Sequence, residues 1–229
     1  MRRGVGASAA VWLLLGTLGV STAYGMLLLL PLYVEELGGN EADFGVILAA
    51  GAVPAILCIG ALIRYPGAMR PYAVVAIAIA VYALGAVGLS FTAEGMTPLV
   101  GLGVLLGTAW AVVYTATPMV MSEMVTDEGR ATYFGYLTGT QQIGIGAGPV
   151  IARFLVETPL GFRGTVLAAG VVCLAAVALT LVVGMLTPDA REASEGGVRA
   201  RGVEVPPVQP RRLVPLFARS WDRRPASRS

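Results

Sequence analysis

Six stretches of the chain carry no charged residue: 11–33, 44–63, 72–92, 96–122, 131–152 and 164–187. Each holds at least 20 residues, and about 20 helical residues cross a hydrocarbon core of ~30 Å. Before Asp189, every charged side chain falls in a gap between these stretches or at the chain start. The partition predicts an all-α polytopic membrane protein with six transmembrane helices. Function is then to be sought inside a helix bundle.

Charged residues make up 13% of the chain, where a soluble domain carries about 25%, and the mean hydropathy is +0.75. All 16 basic residues are Arg, and 14 of them fall at the N-terminus, in the 64–70 turn, in the 123–130 loop or after residue 188. Only Arg153 and Arg163 lie on the other side, where the first loop (Glu35, Glu36, Glu41, Asp43) is purely acidic. The positive-inside rule then puts both termini in the cytoplasm, and the expected location is the plasma (inner) membrane. Arg2, Arg3 and the apolar run that follows imitate a secretory signal, but the run continues to Tyr33, too long for one, so an uncleaved first helix is expected. Cys58 and Cys173 both fall within spans and imply no disulfide framework.

The first and fourth spans end alike. Pro31 precedes Glu35 and Glu36; Pro118 precedes Glu123, Asp127 and Glu128. The next helices open at Phe44-Gly45 and Phe134-Gly135 and carry mid-span prolines, Pro54 and Pro149. Two three-helix repeats would give this pattern, and an odd-numbered repeat must invert across the membrane. Chance likeness between Gly/Pro-rich apolar helices gives it too, and at this point both readings stand.

Asp127-Glu128-Gly129-Arg130-Ala131, followed by Phe134-Gly135, resembles the cytoplasmic loop between helices four and five of major facilitator superfamily (MFS) transporters. The run from Gly144 through Gly146, Gly148 and Pro149 to Ala152 is similar to the glycine-proline motif of that family's fifth helix, often linked to antiporters. Pro31 to Gly39 and Glu41 to Gly45 also resemble the end of its first helix and the start of its second. The resemblance covers about residues 10–187 and implies the amino-terminal six-helix half of an MFS-type bundle. Three features depart from the pattern. Arg64, Tyr65 and Ala68 replace an acid and two basic residues of the loop between helices two and three. The fourth helix has no Arg beside Gly103 and Gly107. Six further helices are missing, and a truncated or partial product is one reading of that.

Several polar groups lie in the spans, and the candidates for lining a substrate cavity are Tyr24, Tyr114, Gln141 and Gln142. A bare side-chain amide in lipid costs several kcal/mol, on the order of transfer estimates, so at least one glutamine should face other helices or water. Interhelical hydrogen bonding would satisfy it as well as a substrate would. Neighbours on a helix diverge by about 100°, so the two glutamines cannot serve one site equally. Gly144, Gly148 and Pro149 are candidates for a helix bend and close packing, and Glu128, Gly129 and Arg130 for the cytoplasmic loop motif. No span holds an ionisable carboxylate, Arg, Lys or His, which favours a neutral or apolar solute.

Residues 1–187 are thus read as the bundle and 188–229 as a cytoplasmic, largely disordered Arg/Pro-rich tail. The resemblance implies transport of a small solute by alternating access, with efflux suggested by the fifth helix alone. A lone half would pair with a second copy or a separately encoded half. The alternative is a non-transporting accessory or scaffold protein. No enzyme activity, cofactor, metal or nucleic acid is called for, since no nucleophile–base set and no metal-ligand spacing is present.

Overall fold

The computed structural model describes residues 2–65, 70–91, 96–125, 128–159 and 161–186. The chain divides into two units, Met1–Pro188 and Asp189–Ser229. All described residues lie in the first; the expected tail, 188–229, lies outside them.

The described residues are helical and include no strand. They form α1 (Arg2–Met26), a 3-10 turn (Leu27–Leu29), α2 (Leu30–Glu36), α3 (Glu41–Arg64), α4 (Pro71–Ser90), α5 (Met96–Met124), α6 (Arg130–Val156) and α7 (Gly161–Leu186). The first expected span is α1, the turn and α2 together; each other expected span has one helix. Five segments are long and apolar enough to cross a membrane: Ser8–Glu36, Glu41–Arg64, Pro71–Ser90, Pro98–Met124 and Gly161–Leu186. The sixth helix, α6, is long at 27 residues but less apolar, because it carries Thr138, Thr140, Gln141 and Gln142.

Local chemistry sets the helix ends. The Asn40 side chain accepts hydrogen bonds from the Ala42 and Asp43 amides (2.8 and 3.2 Å), while Asp43 accepts one from the Asn40 amide at 2.9 Å. This reciprocal cap satisfies amides that the first turn leaves bare, and Glu41 and Asp43 also complement the helix dipole. Part of the acidic loop is therefore a helix start. Gly38, at φ 84°, occupies the left-handed region that closes α2, with its amide donating to the Glu35 carbonyl at 2.9 Å. Pro71 starts α4, at a position where a missing amide costs nothing.

Packing decides between the two readings of the repeat. The first span packs on α6 and α7; α5 packs on α3 and α4; α4 packs on α7. Exchanging the first span with α5, α3 with α6, and α4 with α7 interchanges the first four of these pairs two by two and maps the α4–α7 pair onto itself. Burial follows the same exchange. Ile47 and Gly51 are the buried positions early in α3, and Leu137 and Gln141, ninety residues further on, are their counterparts in α6. Between them the exposed and half-buried positions also alternate identically over 41–53 and 131–143. Chance likeness does not produce a matching set of neighbours, so the fold is two three-helix repeats.

The two matching seams are built from glycine. In the seam between α1 and α6, Gly148 lies against the backbone of Gly25 and Met26. One turn earlier, a Cβ on Gly144 would stand 2.7 Å from the Ser21 Cβ and 2.9 Å from the Leu18 carbonyl oxygen. In the seam between α3 and α5, a Cβ on Gly51 would stand 2.9 Å from the Gly103 oxygen and one on Gly107 3.0 Å from the Gly51 Cα. Backbone cannot retreat as a flexible side chain can. By contrast, Gly135, Gly139 and Gly146 of α6 have nothing within 4 Å of an added Cβ. The opposite face of α3 is apolar and open, with Ile56 and Leu57 each 69% exposed, as a lipid-facing surface requires.

A Gly148→Val chain should therefore lose about 3 kcal/mol, the upper end for overpacking a filled site. Gly146→Ala should be neutral or gain up to about 1 kcal/mol through helix propensity. Unfolding of both variants in mixed micelles, followed by circular dichroism, gives the comparison; equal midpoints would refute the seam.

Candidate substrate cavity

The seam between α3 and α5 stops short of closing against the first span. A cavity of about 140 Å³ remains there. Tyr24 and Leu27 of the first span, Phe44 and Ile47 of α3, Tyr82 of α4 and Trp110 of α5 contribute to its wall, and Gly103 and Gly107 form its floor. Because glycines carry the seam, the backbones approach closely while the larger side chains one turn away hold the space open. The 3-10 turn Leu27–Leu29 lies at this point, tightening the first span just before Pro31. Leu27 and Leu28 reach the cavity from it, and Leu30 from the start of α2.

Tyr24 and Trp110 stack, with ring centroids 3.9 Å apart and planes 8° from parallel. Trp110 also meets Tyr114, one turn on along α5, at 6.1 Å and 41°. The two tyrosines singled out in the sequence are thus joined through a residue that was not. The available signal was the Trp110/Tyr114 spacing of four, which puts both rings on one face of α5. Tyr24 lines the cavity; Tyr114 does not, and it is 48% exposed.

The other candidates lie elsewhere. Gln141 is buried and Gln142 exposed, the divergence that helix geometry demands, and neither lines this cavity. Gln141 belongs to the face of α6 that turns toward α1, one turn before Gly144. Gly144 and Gly148 make the α1 seam. Pro149 is half-buried, and α6 continues past it to Val156. Gly129 is the N-cap of α6, with its carbonyl accepting from the Tyr133 amide at 3.1 Å, and Glu128 and Arg130 flank it in exposed positions.

Most hydroxyls in the spans are already committed. Thr17, Thr22, Thr115 and Thr117 each donate to the carbonyl four residues back, at 2.7–2.9 Å. Ser21 Oγ and Thr108 Oγ1 are the buried exceptions, with no partner in the described structure. No charged side chain lines the cavity. Among the described residues no group of His, Cys, Asp or Glu could hold a metal ion. What remains is an apolar space with a largely aromatic wall.

The Major Facilitator Superfamily model matches residues 72–224 of this chain. The chain belongs to the Major Facilitator Superfamily. Members of this superfamily are membrane transporters of small solutes, and the protein is accordingly an integral membrane protein. The matched segment contains the 127–131 loop motif and the Gly144–Pro149 run, along with Tyr82, Trp110 and both glutamines. Tyr24 and the 31–45 resemblance lie before it. No curated protein matches the chain.

Stacked aromatic pairs contribute about 0.5–1.5 kcal/mol beyond buried area. A double-mutant cycle with Tyr24→Leu and Trp110→Leu should give a coupling of about 1 kcal/mol in micellar unfolding. The pair Tyr24→Leu and Tyr136→Leu, whose rings make no contact with each other, should give a coupling within error of zero.

Proposed function

We propose that this protein carries an uncharged small solute across the inner membrane by alternating access, outward from the cytoplasm. The observation that carries the reading is the charge-free aromatic cavity set beside a glycine seam in a repeat fold of this superfamily. Alternating access in such folds is a rocking of one bundle against another around a site near the midplane. A second bundle is therefore part of the proposal, supplied by another copy of this chain or by a separately encoded half. The outward direction rests on the likeness of Gly144 to Pro149 to the antiporter-linked motif. The cytoplasmic placement of both termini rests on the Arg asymmetry. Gln141 and Gln142 are proposed to serve the path from α6, apart from the aromatic cavity.

The test is reconstitution of the full chain into proteoliposomes, followed by uptake of radiolabelled uncharged solutes with and without an imposed pH gradient. Saturable uptake above empty liposomes is expected. The Gln141→Leu/Gln142→Leu protein should lose at least about ten-fold in rate (about 1.4 kcal/mol) while keeping its helical signal. Uptake that never saturates would sink the transport reading; an unchanged double variant would remove only the glutamines from it.

A further inference from the structure

The cavity beside Tyr24 and Trp110 narrows the solute further. Its volume of about 140 Å³ is close to the ~150 Å³ at which an apolar engineered cavity stays dry and takes up a single benzene ring. Its wall combines branched aliphatic side chains with four aromatic residues: Tyr24, Phe44, Tyr82 and Trp110. Tyr24 and Trp110 are held flat against each other, so one edge of the space is a pre-set aromatic surface that pays no ordering cost on binding. The mouth is formed by Leu28 and Leu48, 46% and 59% exposed, on the first span and α3.

We propose that this cavity binds a single-ring, uncharged aromatic solute, with its ring against the Tyr24–Trp110 pair. The proposal rests on the transport reading above and names the solute class of the same site. Three alternatives lose on physical grounds. A cation would gain attraction from the ring faces, yet no carboxylate lines the cavity to offset its lost hydration. An anion meets the same desolvation cost together with the negative faces of the rings. A saturated ring of equal size fits the volume but forgoes the ring–ring contact, a factor of about three to ten in affinity.

The protein contains three tryptophans, so Trp12→Phe with Trp221→Phe leaves Trp110 as the reporter. In the full chain reconstituted in lipid nanodiscs, phenol should change Trp110 fluorescence saturably. Cyclohexanol should bind at least about three-fold more weakly, and benzoate and benzyltrimethylammonium should give no saturable change. Leu28→Phe/Leu48→Phe fills the mouth from two exposed positions that the fold tolerates, and should weaken phenol at least about ten-fold. A signal linear in phenol concentration, equal binding of either charged analogue, or an indifferent mouth-filling variant would each overturn the proposal. Uptake by proteoliposomes separates the two claims. Saturable phenol binding without uptake of any solute retains the site and defeats the transport reading. Saturable uptake of another uncharged solute with no phenol binding does the reverse.

Discussion

Close approach of backbone to backbone is the interaction on which this bundle depends. In lipid, apolar surface gains nothing by leaving one hydrocarbon for another, so helices associate through packing and interhelical polar contacts. Two seams supply the packing: Gly144 and Gly148 against α1, and Gly51 against Gly103 and Gly107. The remaining contacts fit around them. Between α4 and α7 the close approach is of side chain to backbone instead, with a Cβ on Gly170 placed 2.8 Å from the Val87 Cγ2 and only 3.4 Å from the Ala83 carbonyl oxygen. The cavity is a consequence of the same geometry, since Gly103 and Gly107 both carry the seam and line the space. Stability and site are therefore not independent here: whatever widens the α3–α5 seam reshapes the cavity floor.

The repeat is symmetric in its pairing and unsymmetric in its detail. Pro31 and Pro118 hold equivalent places, but the first span breaks into a 3-10 turn before Pro31 while α5 runs unbroken through Pro118. The break lies at the cavity, and two of its leucines, Leu27 and Leu28, line it together with Leu30 just after it. A tightened turn in the middle of a span is a place where a helix can rearrange at low cost, because its backbone bonding is already irregular. The Tyr33 hydroxyl, just beyond, donates to the Leu89 carbonyl at 3.2 Å and fixes the far side of the break to α4. The break is thus bounded by a seam on one side and by this hydrogen bond on the other.

Much of this fold was legible because charge is expensive in a bilayer. The charge-free stretch 44–63 became Glu41–Arg64, and 131–152 became Arg130–Val156. The helices run past the stretches because charged residues occupy their first or last turns, where caps and interfaces accept them. Phe44-Gly45 and Phe134-Gly135 marked the repeat correctly, ninety residues apart, but only packing could separate it from coincidence. The site was less legible. Tyr24 was found as a polar ring in an apolar helix, whereas Trp110 was not singled out and became informative only once α5 met the first span. That meeting is a long-range contact between helices, and no local pattern encodes it. The glutamines were conspicuous for the opposite reason, since their cost in lipid is intrinsic to the side chain.

The two unpartnered hydroxyls extend the repeat from shape to energetics. Ser21 stands ten residues before Pro31, and Thr108 ten residues before Pro118. A helix offers every Ser or Thr a carbonyl one turn back, and Thr17, Thr22, Thr115 and Thr117 all take it. At the two equivalent positions the offer is declined, and a buried hydroxyl left so costs about 1–3 kcal/mol. Both costs fall on α1 and α5, the helices that carry the aromatic stack. Neither falls on α4 or α7, where Ser90 and Thr180 are bonded to carbonyls at 2.6 and 2.9 Å. Among the described residues the unpartnered hydroxyls thus fall once in each repeat, on the two helices whose rings stack, while Ser90 of α4 and Thr180 of α7 are bonded.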